Sequence, residues 1–235
     1  MRLNAPETCV DHYTFWRVHP VELDATVTLQ DQFQMEPFET RLRAVEFLGN
    51  PARKVRRERE EEDIHHSKVH LLAYGLEKQI GGPPDNNPPI VRNQFTSEEG
   101  EKWSLGRTRF LLIPARKAPY PEPAPTTPPP PRVDHFLCYD VLSAPHVHEP
   151  MVLRDQFGTT DTAELRPILF GCPVIKNHEG LIHPDVHLAI YELNPGLHPP
   201  STIGVNTADQ LRQWELNAVE CVWLGVPSHK EWKRQ

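Results

Sequence analysis

The stretch VTLQDQFQ (27–34) recurs later in the chain as MVLRDQFG (151–158). In both copies, apolar residues lead into an Asp-Gln step that is followed by a phenylalanine. Val27 and Leu29 alternate with polar residues, which is expected for an edge or surface strand. Asp favours turns because its side chain accepts hydrogen bonds from nearby backbone N–H groups. The stretch therefore predicts a strand that ends in a turn.

Other blocks recur in the same order on either side of this stretch. DHYTFWRV (11–18) matches DHFLCYDV (134–141), and IHHSKVHLLAYGLE (64–77) matches LIHPDVHLAIYELN (181–194). FLGNPARK (47–54) matches LFGCPVIK (169–176), and FLLIPARK (110–117) matches WLGVPSHK (223–230). The second half of the chain thus repeats the first, which is typical of repeat architectures.

Each half also divides in two, so that one three-block pattern occurs four times. A His is followed four positions later by a large aromatic residue, then by Asp or Asn with Gln and an apolar residue, and then by Pro with Lys three positions later. We call the copies repeat 1 (12–54), repeat 2 (70–117), repeat 3 (135–176) and repeat 4 (187–230). The pattern begins at His12, His70, His135 and His187 and ends at Lys54, Lys117, Lys176 and Lys230.

The repeated blocks predict an all-β fold. They are short, rich in Val, Leu and aromatic residues, and separated by Pro, Asn, Asp and Gly. HLAIYEL (187–193) is largely apolar on both faces and predicts a buried strand, and FETRLRAVEFL (38–48) is interpreted as a strand from its partner ECVWLGV (220–226). Three strands per repeat predict two similar six-stranded barrel- or sandwich-like units, each an internal duplication of a three-stranded repeat.

The predicted organisation is an N-terminal β unit of two repeats (1–117), a Pro-rich linker (118–132) and a C-terminal β unit of two repeats (133–235). The linker, APYPEPAPTTPPPPR, predicts a stiff polyproline II spacer with a reach of roughly 45 Å. Its PxxP patterns leave open that it docks as an SH3 or WW ligand. The charged run RKVRREREEED (53–63) predicts a solvated, self-paired loop, with partner docking as the alternative.

The recurring polar residues are interpreted as structural. Asp or Asn stands in the same place in all four repeats, whereas a catalytic carboxylate needs surroundings of its own and a specific partner. We expect it to cap the turn that follows the strand. We expect each repeated His to pack beside the aromatic residue four positions later; the alternative is that two of these His meet near a pseudo-symmetry axis and form a polar site.

Motifs for chemistry are absent from the sequence, which has no GxSxG, GxxxxGK[ST], GxGxxG or HExxH. His146 and His148 in HVHEP (146–150) share one strand face, and IHHSKVH (64–70) adds three more His, but neither shows a complete ligand set. Cys138, next to Tyr139 in a predicted interior strand, is expected to be inert. We therefore predict no metal site and no cofactor, and the catalytic and cofactor-binding residues remain unknown.

Composition narrows the class of protein. The 235 residues include 26 Pro, which disfavours long helices, and the formal net charge of −7 argues against a nucleic-acid partner. No apolar run reaches the length of a membrane span, and MRLNAPETCVDHY (1–13) has no signal-peptide core. The four Cys at 9, 138, 172 and 221 are scattered, which suits a reducing interior. We expect a cytoplasmic protein without a membrane partner.

The blocks DHFLCYDV, VLRDQFG, CPVIKNHEGLIHPDVHLAIYEL and VPSHK resemble a tandem β-repeat family of unassigned function, found mainly in exported bacterial proteins. The resemblance covers most of both halves, is closest over 134–194 and omits the linker. It implies a bacterial source and Cys residues before the aromatic residue and before the Pro step. Cys138 keeps the first, whereas the second position holds Gly49, Leu112, Gly171 and Gly225, so the disulfides that the resemblance implies are missing.

Two functional hypotheses follow. The first is a non-catalytic binding or scaffold protein whose loops meet a protein, glycan or small-molecule ligand. The second is a cofactor-independent cytoplasmic enzyme, of cyclase or isomerase type, that uses an apolar β-barrel or inter-domain cavity. Polar residues that break the fourfold pattern inside a cavity would favour the enzyme, and a closed, packed core would favour the binder. The ligand and the oligomeric state are left open.

Overall fold

The computed structural model describes residues 10–56, 59–61, 64–83, 87–127, 129, 132–197, 199 and 201–231. This part of the chain contains strands and no helix, which confirms the all-β prediction. The strands are β1 (His12–Gln30), β2 (Phe38–Arg56), β3 (Arg59–Glu61), β4 (His70–Leu76), β5 (Ile90–Arg92), β6 (Glu101–Lys102), β7 (Ser104–Pro119), β8 (His135–Ser143), β9 (Val147–Asp155), β10 (Gly158–Lys176), β11 (His187–Leu197), β12 (Ile203–Ala208) and β13 (Gln213–Glu231).

Eight of these strands form a closed antiparallel ring, to which each repeat contributes two neighbours. The order around the ring is β1, β2, β4, β7, β8, β10, β11, β13 and back to β1. Since repeat 4 pairs with repeat 1, the ring closes without leaving a strand edge to be protected. The four His residues each begin one of these strands, as the sequence pattern predicted.

The inside of the ring is filled by side chains. One buried cluster draws residues from all eight strands, including Tyr13, Phe15, Phe47 and Trp223, and the rings of Phe47 and Trp223 stack with centroids 3.7 Å apart. Glycines make room for the largest of these side chains. A Cβ at Gly49 or at Gly225 would lie 2.9 Å from the ring of Phe15, closer than carbon atoms approach. The interior is therefore a packed core.

Outside the ring, the strands continue into arms that cross to the repeat opposite. The end of β1 pairs with β10, and β9 pairs with β2, so repeats 1 and 3 exchange arms. In the same way β5 pairs with β13, and β12 pairs with β7, so repeats 2 and 4 exchange arms. A second, larger buried cluster lies between the outer face of the ring and these arms. Buried side chains therefore stabilise the eight-stranded ring on both its inner and its outer face.

Several strand predictions are confirmed, and one is corrected. Residues 38–48 form part of strand β2, and β4 is buried at every position. In repeat 1, however, the first two predicted strands are one continuous 19-residue strand, β1, which changes register against β2 between Arg17 and Val21. Such irregularities bend a strand. One strand can therefore belong to the ring over part of its length and to an arm over the rest. The division into two six-stranded units remains a prediction, and the halves 1–117 and 133–235 share one hydrogen-bonded sheet.

The described part of the predicted linker is attached to the protein rather than free. Ala118 and Pro119 belong to β7 and pair with β12, and the amide of Asn206 donates to the Glu122 carbonyl at 2.7 Å. Backbone groups of β12 pair with Ala118 and Pro119. A prediction from amino-acid composition takes no account of such pairing. For residues 120–132 the stiff Pro-rich spacer stays a prediction, and 128, 130 and 131 lie outside the described residues.

The charged run 53–63 is also corrected in part. Its backbone forms a short antiparallel pair, in which Lys54 stands opposite Glu61 and Val55 stands opposite Glu60. These residues pair as strands, which corrects the prediction of an open loop for them. Residues 57, 58, 62 and 63 lie outside the described part. Among the residues that the structure describes, no helix has the length and apolar character that a membrane crossing requires.

Candidate functional site

The recurring Asp or Asn lies in a turn in all four repeats, as predicted. One side-chain oxygen accepts a hydrogen bond from the backbone N–H two residues later, which fixes the start of the turn. These bonds are Phe33 N to Asp31 (2.8 Å), Phe95 N to Asn93 (2.9 Å), Phe157 N to Asp155 (2.7 Å) and Leu211 N to Asp209 (2.8 Å). The prediction that the Asp-Gln step ends the strand in a turn is confirmed.

The other side-chain atom of each turn residue reaches the aromatic residue of the repeat opposite. Tyr139 donates to Asp31 at 2.8 Å, Trp16 Nε1 donates to Asp155 at 2.6 Å, and Asn93 donates to the Tyr191 hydroxyl at 2.9 Å. The fourth pair is Tyr74 donating to Asp209. The turn of each arm is thereby bonded to the outer face of the ring. Sequence reasoning had missed this link because the partners are about a hundred residues apart.

The electrostatics of these turns fit a structural role. Burial raises the pKa of Asp31 to about 6, against the opposing effect of the Phe33 amide and the Tyr139 hydroxyl. Burial likewise raises the pKa of Asp209, with Tyr74 acting in the opposite direction. These shifts arise from the same contacts in equivalent places, so they do not mark one of the carboxylates as catalytic.

In three of the four turns, the Gln bonds the repeated His of the preceding repeat. The amide nitrogen of Gln meets imidazole Nε2 in Gln94–His12 (2.8 Å), Gln210–His135 (2.8 Å) and Gln32–His187 (2.6 Å). Gln156 faces His70 more loosely and also donates to the Ser67 carbonyl at 3.4 Å. Repeat 2 meets repeat 1, repeat 3 meets 2, repeat 4 meets 3, and repeat 1 meets 4. We call this closed set of contacts the Gln–His ring.

His12, His70 and His187 are neutral. At His12 and His187 the amide nitrogen that faces Nε2 can only donate, so Nε2 must accept, which requires the neutral form. Burial lowers the pKa of His12, His70 and His187 to about 3, and nearby Lys residues lower it further. The expected packing of each His beside its aromatic partner is wrong. Four residues of a strand span roughly 13 Å, so the two side chains share a face without touching.

The repeated Lys residues complete the connections between neighbouring repeats. In three cases the Nζ atom lies near the phenylalanine ring of the next repeat. The distances to the ring centroid are 5.1 Å for Lys54–Phe95, 4.0 Å for Lys117–Phe157 and 4.4 Å for Lys230–Phe33. Repeat 4 has Leu211 where the others have Phe, and Lys176 instead bonds Glu179 at 3.2 Å. The motif residues of the sequence thus join the repeats, and two of the His do not meet to form a separate polar site.

One of the four equivalent clusters is more polar than the others. The residue before the repeated Pro is Asn50 in repeat 1, and the residue two positions after the repeated His is Thr14. The other repeats have Ile113, Cys172 and Val226 at the first position and Leu72, Leu137 and Ala189 at the second. We define Thr14, Trp16, Asn50, Lys117 and Asp155 as the Asn50 cluster. Comparing these two positions across the repeats could have revealed it from the sequence.

The Asn50 cluster is hydrogen-bonded throughout. Lys117 Nζ donates to Asn50 Oδ1 at 2.6 Å, and Asn50 Nδ2 donates to Asp155 Oδ2 at 3.3 Å. Thr14 and Trp16 donate to the same carboxylate oxygen. Burial lowers the pKa of Lys117 to about 7, and the Asp155 carboxylate opposes this shift. The Lys117 side chain is half-buried, and its Nζ lies between Asn50 and the Phe157 ring.

A hollow of about 610 Å³ opens on the surface between β6 and β9, lined by Phe95, Glu101, His146, Val147, His148, Glu149 and Pro150. We call it the β6–β9 hollow. Burial raises the pKa of Glu101 above its ordinary value. The rings of His146 and His148 are 6.4 Å apart, and His146 lies 3.6 Å from Glu164. Within the described ranges, His, Cys, Asp and Glu form no group of three or more that could hold a metal ion.

The cysteines in the described part of the chain are Cys138, Cys172 and Cys221, and all three are buried and unpaired. Burial raises the pKa of each thiol, so the reactive thiolate is disfavoured at neutral pH. The expectation that Cys138 is inert agrees with this environment. Cys9 lies outside the described residues.

The comparisons with known proteins identify a family and nothing closer. No curated protein and no solved structure matches the chain. A family model described as a repeat of unknown function (DUF7450) matches residues 78–227, which begin within repeat 2 and end within β13. That its members are mainly exported bacterial proteins remains an expectation. With most of its length matched, the chain belongs to this repeat family of unknown function.

Proposed function

We propose that the protein is a non-catalytic binding module in which the four repeats form a rigid scaffold. The observation that carries this proposal is the Gln–His ring. The residue types that ordinarily do chemistry recur in each repeat, and their polar atoms are engaged in contacts between repeats. Residues that fix a scaffold are expected in every copy, whereas a reaction centre needs one copy with surroundings of its own.

The β6–β9 hollow is the proposed ligand site. Two carboxylates, Glu101 and Glu149, stand among apolar walls formed by Phe95, Val147 and Pro150. The chain as a whole has a formal net charge of −7, which also favours a positively charged ligand. A guanidinium or ammonium group meets carboxylates through charge-assisted hydrogen bonds, while its aliphatic stem covers apolar surface. Among protein, glycan and small-molecule ligands, we therefore propose a protein partner that inserts an Arg or Lys side chain.

The hollow can be tested with three pentapeptides that carry one central Arg, Gln or Glu between glycines. We expect the Arg peptide to bind most tightly, because only its side chain is opposite in charge to the hollow. Glu101→Gln should weaken that binding about tenfold, which corresponds to about 1.4 kcal/mol. Isothermal titration calorimetry at low salt measures the affinities, and added salt should weaken them.

Glu98→Gln is the matched control, because it makes the same charge change three positions away on an exposed residue outside the hollow. It should leave binding of the Arg peptide within about twofold of the unmodified protein. Equal affinity for all three peptides, or equal losses in the Glu98 and Glu101 variants, would show that the hollow is not the site.

A second candidate function is a cofactor-independent enzyme, and the Asn50 cluster favours it. Asn50 and Thr14 are buried polar residues that break the fourfold pattern, and they surround the half-buried amine of Lys117. An active site of this kind predicts a reaction that depends on Lys117, whereas the binding module does not. We also propose a cytoplasmic location without a nucleic-acid or membrane partner, supported by the unpaired cysteines and the negative net charge.

A further inference from the structure

Two histidines stand beside the two carboxylates of the β6–β9 hollow. His146 directly precedes β9 and His148 is the second residue of that strand. Both side chains are exposed, and both line the hollow together with Glu101 and Glu149. The centroids of the two imidazole rings are 6.4 Å apart. The wall of the hollow thus combines groups that attract a cation with groups that can themselves become cations.

A third carboxylate faces the two imidazoles from the neighbouring strand, β10. Glu164 Oε1 lies 3.6 Å from His146 Nδ1, and Glu164 stands opposite His148 in the ladder between β9 and β10. Among the described residues, the titratable groups around the two His are therefore Glu149 from β9, Glu101 from β6 and Glu164 from β10. All three are carboxylates, and a nearby carboxylate favours the charged form of an imidazole.

The charge of these imidazoles changes the affinity of the hollow for a cation. The ordinary imidazole of His is neutral above roughly pH 6.5 and positively charged below it. A charged imidazole repels an Arg or Lys side chain in the same hollow and partly neutralises the carboxylates that attract it. Because the two His are exposed, solvent weakens each effect, and we expect about a threefold loss of affinity for each imidazole.

We propose that His146 and His148 are specificity residues of the β6–β9 hollow, which binds a basic side chain tightly only while both imidazoles are neutral. This inference rests on the proposed function, because it concerns the same site and the same class of ligand. It assigns a role to the two His of the HVHEP stretch (146–150). Coupling of this kind is reciprocal, so binding of the basic side chain must also release protons from the imidazoles.

The test is to titrate the full-length protein with the pentapeptide that carries a central Arg, by isothermal titration calorimetry at low salt. The affinity should be about fivefold weaker at pH 6.0 than at pH 7.5. At pH 6.5, titrations in two buffers of different ionisation enthalpy should show that binding releases protons. A variant with both His146→Gln and His148→Gln should bind within about twofold at the two pH values, without proton release. Circular dichroism at each pH checks that the protein is folded.

Glu101 is the alternative source of a pH dependence, because burial raises its pKa and a protonated carboxyl group no longer attracts a cation. The double variant separates the two causes, since it retains Glu101 and Glu149. His19→Gln is the matched control, because it makes the same change at an exposed His of β1 that lies outside the hollow. This variant should keep the pH dependence of the unmodified protein.

Two outcomes would overturn the role of the histidines. The Arg peptide could bind equally well at pH 7.5 and pH 6.0, or the double variant could lose as much affinity at pH 6.0 as the unmodified protein. In either case the proposed function still stands if the Arg peptide binds more tightly than the Gln peptide at pH 7.5. Equal binding of these two peptides at pH 7.5 would instead overturn the proposed function, and the role of the histidines with it.

Discussion

Lowering the pH from 7 to 5 is expected to reduce the free energy of unfolding by about 4 kcal/mol. The reason is that His12, His70 and His187 have pKa values of about 3 in the folded protein. In the unfolded chain these His titrate near pH 6.5, so between pH 6.5 and 3 the unfolded chain binds protons that the folded protein does not. Each His then lowers the stability at pH 5 by roughly 2 kcal/mol.

Asp31 acts in the opposite direction. Its pKa of about 6 lies above the unfolded value, so the folded protein binds its proton more readily between pH 6 and 3.8. This stabilises the folded state at pH 5 by roughly 1 kcal/mol and offsets part of the loss from the three His. Lys117 and Lys230 titrate at about 7 and 8, so they contribute little across the interval from pH 7 to 5.

Urea denaturation at pH 5, 6 and 7 measures the loss directly. His187→Gln is a useful variant, because the glutamine side chain stays neutral at all three pH values. The substitution should reduce the loss of stability between pH 7 and pH 5 by about 2 kcal/mol. A stability that is the same at pH 5 and pH 7 would mean that the His are exposed or charged in the folded protein. That result would contradict the Gln–His ring.

Asp31→Ala is expected to lower the free energy of unfolding by about 3 kcal/mol. The change removes the acceptor of two buried hydrogen bonds, from the Phe33 amide and from the Tyr139 hydroxyl. Asp31→Asn should cost only about 1 kcal/mol, because Asn93 of repeat 2 holds the equivalent turn, accepting from the Phe95 amide and donating to the Tyr191 hydroxyl. Urea denaturation at pH 7 measures both changes.

Asp24→Ala is the control for loss of a carboxylate. Asp24 is exposed and forms an ion pair with Arg41 at 2.6 Å, and exposed pairs contribute little to stability. We expect a much smaller loss of stability than in Asp31→Ala. If Asp31→Ala were as mild as Asp24→Ala, the turn residue would not anchor the arm to the ring.

Much of the fold could be predicted because the same pattern of strand and turn residues occurs four times in the sequence. The turn at Asp31 follows from the residue type, and the strands that begin at the four His follow from alternation and composition. The partners across the ring could not be predicted. That Asp31 meets Tyr139 depends on how the ring closes and on where each arm crosses, and such contacts between distant residues leave no local signal.

The candidate sites were harder to predict for the same reason. Phe95 and Glu101 are close to each other in the sequence but distant from His148, and only the crossing of the arms brings all three to one hollow. From the sequence, His146 and His148 were considered as two metal ligands without a third. In the structure they line a hollow instead. The Asn50 cluster was visible in principle, since Asn50 differs from its equivalents Ile113 and Val226. The pattern that defines the repeats rests on the residues that they share, so a position at which one repeat differs is not part of that pattern.

The central claim is that the shared side chains act between repeats to hold one scaffold. A double-mutant cycle between Asp31→Ala and Tyr139→Phe tests it most directly, with Asp31→Ala and Tyr191→Phe as the mismatched pair. The account predicts a coupling energy of about 1–2 kcal/mol for the first pair and additivity within about 0.5 kcal/mol for the second. Additive effects in the first pair, or equal coupling in both pairs, would contradict it.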